Sequence, residues 1–195
     1  MNNISTLFGV PLYVVDIEGS EISDSISYIH ENIDAMKDYA SESKVGHTKW
    51  TSKHSILPFQ IPQICDKVIE HSSLFAGQVG ISLEYSYTYW INRWIGNNPE
   101  CTNDRHSHTN AKIVATLYVS NNEPTDATLR LENPMQNTLA FTPFHNMAGK
   151  PWWKQIVDVE AHANRLVLWP GFLWHWARYT NNPDSYRISM AVEIN

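Results

Sequence analysis

The chain has 195 residues, 43% hydrophobic and 17% charged, a composition that suits one globular domain with a core of its own. Fourteen Lys and Arg against twenty Asp and Glu give a formal charge of -6, with no basic cluster. That argues against a general binder of nucleic acid or anionic membranes, both of which need concentrated positive charge.

Met1 to Val15 lack the basic start and long apolar run of a secretory leader, and no apolar stretch approaches a membrane span, so a cytoplasmic protein without membrane partners is expected. After Ser20 and Glu21, the residues Ile22, Ile26, Ile29, Ile33 and Met36 recur at helical spacing and predict an amphipathic helix. A second stripe, Ile61, Ile64, Cys65, Val68 and Ile69, follows Pro58 and Pro62 and ends near Gly77 and Gly80, predicting another helix. Cys65 and Cys101 are far apart and form no C-x-x-C pair, which fits free thiols of a reducing compartment.

From residue 80 the period changes to two. Ile81, Leu83, Tyr85, Tyr87 and Tyr89 alternate with small or polar residues, and Trp90 to Ile95 extends that strand. Further strands are predicted at Lys112 to Val119, Ala127 to Glu132, Ile156 to Glu160, Arg165 to Trp169, Leu173 to Arg178 and Tyr186 to Ile194, separated by Asn-, Pro- and Gly-rich turns. So many short strands read as a β-sandwich or barrel with the helices packed outside it. Met135 to Trp153 has no clear period and contains Pro143, Gly149 and Pro151, the profile of a long functional loop. We read one domain over 1–195, with a helical part at about 1–78 and a β core at about 79–195.

The chain carries eight Trp and nine His. The densest polar cluster, Asn103 to Asn110, contains His106 and His108, which an extended backbone points to the same side, as metal binding requires. With so many histidines one H-x-H pair arises easily by chance, and two solvated loop histidines would look the same. His175 adds weight. It is flanked by Trp174 and Trp176, and a buried imidazole needs a partner at each ring nitrogen, one of which a shared metal can supply. On the last strand Arg187 and Ser189 share a face, where a guanidinium and a hydroxyl can grip a carboxylate; a surface Arg at a strand end is the plain alternative.

The order His106-Ser107-His108, His175, then Arg187-Ile188-Ser189 resembles the Fe(II)- and 2-oxoglutarate-dependent oxygenases, and more narrowly their phage and marine-bacterial members. Further matching features are Leu7-Phe8-Gly9-Val10-Pro11, Gly46 to Trp50, Trp90-Ile91-Asn92 with Gly96, Leu129 to Pro134, and Leu168 to His175, which together cover the chain nearly end to end. The resemblance implies a mainly β fold, the double-stranded β-helix or jelly roll, with two N-terminal helices buttressing one sheet. It implies Fe(II) as cofactor and 2-oxoglutarate as cosubstrate, with His106 and His175 as iron ligands and Arg187 and Ser189 on the far carboxylate of the keto acid. The departure is His108, where the superfamily most often has Asp or Glu. A third imidazole at His108 is one reading, and a carboxylate from Asp104 or Glu132 is the other. Asn92 and Tyr118 are candidates to hydrogen-bond the keto acid, and Trp174, Trp176 and Trp152 are candidates to line the substrate site.

The implied activity is a dioxygenase that uses O2 to hydroxylate a small molecule, an amino-acid derivative or a peptide side chain, releasing succinate and CO2. Two rivals stand beside it. A three-His cupin-type iron dioxygenase without keto acid gains from His108 and loses from Arg187 and Ser189. A non-catalytic jelly-roll carbohydrate-binding protein would use the tryptophans to stack sugar rings.

Overall fold

Most of the alternating stretches of the second half do form strands. The computed structural model describes residues 3–7, 9–36, 49–51, 58–95, 105–121, 128–135, 155–177 and 186–195. Within them the chain runs β1 (Asn3–Leu7), β2 (Val10–Asp16), α1 (Gly19–Asn32), β3 (Lys49–Thr51), α2 (Pro62–Val79), β4 (Tyr87–Ile95), β5 (Ile113–Asn121), β6 (Thr128–Glu132), β7 (Ile156–Glu160), β8 (Arg165–Pro170), β9 (His175–Ala177) and β10 (Tyr186–Ile194). Among the described residues the larger sheet has the order β1-β2-β8-β5-β10-β4-β3 and the smaller β7-β6-β9, with antiparallel pairing throughout. This is the expected mainly β jelly roll with two helices. No described helix is long and apolar enough to cross a membrane.

Both helices lie against one face of the larger sheet. Ile22 and Ile29 of α1 and Ile64, Val68 and Phe75 of α2 share a core with Ile188, Met190, Val192 and Ile194 of β10 and Ile113 and Leu117 of β5. Burying each such side chain contributes roughly 1.5–3 kcal/mol. Pro62 opens α2, where a missing N–H costs nothing, and Gly80 closes it at φ +74 with its N–H bonded to the Ala76 carbonyl, a left-handed cap that a β-carbon would strain. The opposite face of the larger sheet meets the smaller one, and Leu12, Val114, Tyr118, Leu129, Leu131 and Trp169 belong to this second core.

Two local readings are corrected. Strands β1, β2 and β3 were not foreseen. In β2, Leu12 enters the core between the sheets and Tyr13 the core under the helices, so a strand buried on both sides shows no clean alternation. Conversely, the alternation from Ile81 to Tyr85 does not form a strand: Tyr85 turns at φ +57, and the amides of Glu84 and Ser86 both donate to the Asn195 carbonyl before β4 begins at Tyr87.

Candidate metal centre

His106 and His175 are joined through their backbones. Each donates its N–H to the other's carbonyl, at 3.0 and 2.9 Å, as an isolated antiparallel bridge between the segment before β5 and the start of β9. His108 is held two residues on, its N–H donating to the Gly171 carbonyl at 2.8 Å. A β-carbon at Gly171 would stand 2.1 Å from the Ala111 oxygen and 2.6 Å from the His108 oxygen, so only glycine lets the Pro170-Gly171 turn approach this closely.

The three rings consequently converge, with centroids 4.4 Å apart for His106 and His175, 5.0 Å for His106 and His108, and 5.1 Å for His108 and His175. One ligand nitrogen from each falls within 4.8 Å of the others, a group able to hold a metal ion. Two of the rings have their tautomer fixed from behind. Nδ1 of His175 donates to the Leu173 carbonyl at 3.0 Å, and Nδ1 of His108 donates to Oε1 of Glu193 at 2.6 Å, so Nε2 of each keeps its lone pair for a metal. Burial, chiefly, pushes the His175 pKa down from 6.5 to about 3; the hydrogen bond to Leu173 works the other way, and the neighbouring His106 and His108 add to the fall. At neutral pH His175 is therefore the neutral imidazole that ligation needs.

The carboxylate alternatives resolve differently. Glu132 is clasped by Arg105 through both Nε and Nη2, the latter at 2.8 Å, and does not belong to the His cluster; Asp104 lies outside the described residues. Among the described residues Glu193 is an acid bonded to the cluster, through His108, and sequence reasoning missed it. Its signal was present: Glu193 shares a face of β10 with Arg187 and Ser189 at even spacing.

A cavity between the sheets continues from the three histidines along that face, reaching Asn92, Tyr118, Arg187 and Ser189. Strand register explains the grouping. Ser189 lies opposite Asn92 on β4 and Tyr118 on β5, and Arg187 lies opposite Trp94. The Trp94 ring covers the guanidinium of Arg187 at 4.4 Å. Arg187 is 4% exposed, yet Nε and Nη1 have no hydrogen-bond partner among the described residues. Burial draws its pKa below the usual arginine value, but a guanidinium stays protonated in proteins. Burial pushes the Tyr118 phenol up, so it remains a neutral donor.

The tryptophans divide. Trp90, Trp94 and Trp169 wall the cavity. Trp174 and Trp176 do not line it: Trp174 is 41% exposed with Arg105 stacked on its ring at 4.1 Å, and Trp176 is paired with Arg130 across β6. Trp152 and, beyond Met135, the stretch to Trp153 expected to be a long loop lie outside the described residues. His71 of α2 is buried and shares a 2.8 Å hydrogen bond with the Tyr13 hydroxyl, on the helix side of the sheet.

Comparison with known proteins agrees with this geometry. The family model described as "Putative 2OG-Fe(II) oxygenase" matches residues 88–193. Among solved structures, a prolyl-4-hydroxylase from Pseudomonas putida is similar at 15% identity and a TM-score of 0.62, over 94% of this chain and 91% of that one. A carbocyclase of nogalamycin biosynthesis, described as non-heme and alpha-ketoglutarate-dependent, is similar at 10% identity and 0.63, over 94% and 79%. A prolyl hydroxylase from Trichoplax adhaerens, solved with a peptide fragment of hypoxia inducible factor, is similar at 11% identity and 0.59, over 94% and 82%. No curated protein matches the sequence.

Proposed function

Because the chain belongs to the 2OG-Fe(II) oxygenase family, with Fe(II) as cofactor and 2-oxoglutarate as cosubstrate, we propose that it is a dioxygenase hydroxylating a small molecule, an amino-acid derivative or a peptide side chain. His106, His108 and His175 hold the iron, and Arg187 with Ser189 holds the far carboxylate of 2-oxoglutarate. The observation that carries this reading is the Arg187 guanidinium, buried in the same cavity as the three histidines with two unpartnered nitrogens. A buried cation without an anion is costly, and a carboxylate accepting paired N–H bonds is the group that relieves it. A three-His dioxygenase without keto acid leaves Arg187 unexplained, and a carbohydrate-binding surface explains neither Arg187 nor the convergent imidazoles.

Bound iron supplies the activation of O2 that couples conversion of 2-oxoglutarate to succinate and CO2 with oxidation of a substrate C–H bond. The chain's own residues do the rest. His175, neutral by burial, offers a lone pair rather than a proton. Arg187 binds and orients, and is no proton donor. Ser189, Asn92 and the protonated Tyr118 sit side by side across β10, β4 and β5, where they would offer hydrogen bonds to a bound keto acid. Trp90, Trp94 and Trp169 keep water from the cavity.

Incubation with Fe(II), 2-oxoglutarate and O2 together with panels of peptides, amino-acid derivatives and small molecules tests the reading. Succinate should form, faster with a true substrate, and each turnover should add one oxygen atom to it. No succinate with any member of the panels, from protein that holds iron, would reject the proposed reaction.

A further inference from the structure

A ligand set of three neutral imidazoles lacks the negative charge that Asp or Glu most often contributes at the position of His108 in the wider superfamily. The structure puts a carboxylate one hydrogen bond further out. Oε1 of Glu193 lies 2.6 Å from Nδ1 of His108, a short charge-assisted contact, with the His108 side chain 14% and that of Glu193 34% exposed. Both partners are held by backbone: His108 by the Gly171 carbonyl, and Glu193 by register against Val114 on β5 and Thr88 on β4. Glu132 is already engaged by Arg105.

We propose that Glu193 is a positioning residue that delivers to the metal, through the His108 ring, the negative charge that a ligating carboxylate delivers directly. This rests on the reading that the three histidines hold iron. The hydrogen bond fixes the ring and gives the imidazole part of an imidazolate's basicity, which strengthens its bond to a cation. The formal charge of the site, counting Glu193, then equals that of a site with two histidines and one ligating carboxylate. His108 is thus not a lost ligand but one half of a two-residue substitute for it.

The test compares the intact chain with Glu193→Gln, which keeps an acceptor for Nδ1–H and removes the charge, with Glu193→Ala, and with both changes in a His108→Asp background. Co(II) titration reads metal affinity, and anaerobic Fe(II) with 2-oxoglutarate reads the energy of the metal-to-ligand charge-transfer band. Glu193→Gln should weaken Co(II) binding about tenfold and Glu193→Ala by up to about 100-fold. Glu193→Gln should also move the band to higher energy, because a less basic His108 leaves the iron poorer in electrons. With Asp at position 108, Glu193→Gln should no longer weaken metal binding. Wild-type affinity and band position in Glu193→Gln, or equal weakening in the His108→Asp background, would overturn the inference. Failure of the wild-type chain itself to bind Co(II) or to develop a band would overturn the underlying metal reading instead.

Discussion

The two faces of β10 show how stability and chemistry are divided in this protein. Ile188, Met190, Val192 and Ile194 are fully buried against the helix side of the sheet, in a core shared with Ile64, Val68 and Phe75 of α2. The alternate residues Arg187, Ser189 and Ala191 line the cavity, with Glu193 bonded to His108 at its edge, and there the described residues include a buried guanidinium with unpartnered nitrogens and three imidazoles crowded together. One strand therefore carries both a core that pays for folding and a site that is incomplete without its ligands. Period-two geometry makes the separation possible, since adjacent side chains never share a face.

The comparison is broken most strongly by exchanging the behaviour of the two faces. Met190→Ala should lower the unfolding free energy by about 2–5 kcal/mol in urea titrations, with metal affinity of the folded protein unchanged. Arg187→Met should do the reverse. Its unfolding free energy without ligand should hold or rise, because an unpaired buried cation is gone, while 2-oxoglutarate affinity measured by calorimetry falls about 100-fold or more. Gly171→Ala couples the faces: a β-carbon that meets backbone at 2.1 Å should cost about 1–3 kcal/mol and weaken Co(II) binding as His108 shifts.

His71 sharpens the helix side. Burial holds its pKa below 6.5, so the folded state keeps it neutral while the unfolded chain takes up a proton as pH falls below that value. Its effect is absent above about pH 6.5, and below it stability should drop by up to about 1.4 kcal/mol per pH unit until the folded-state pKa is reached. His71→Gln should flatten that part of the stability profile relative to wild type. The smallest expected effect is Ser189→Ala, which removes one hydrogen bond of about 1 kcal/mol and should weaken 2-oxoglutarate about fivefold with no change in folding.

Legibility in the sequence followed the same division. The helix stripes and the β10 alternation were readable because each element has one apolar face, and period reports such faces directly. β2 was not readable because both of its faces are buried. His106, His108 and His175 could be nominated by spacing and resemblance, but their convergence depends on a backbone bridge and on a turn that only Gly171 permits, neither of which has a local signature. Glu193 was missed because its partner His108 is distant in sequence, and an acid near a strand end ordinarily reads as solvated.

Anaerobic titration of the purified chain with Fe(II) and then 2-oxoglutarate tests the central claim most directly. A visible charge-transfer band should grow to saturation at about one equivalent of each, and Arg187→Met should retain iron but fail to develop the band at the same keto-acid concentration. Iron bound without any band in the wild-type chain, or a band of equal intensity in Arg187→Met, would contradict the account.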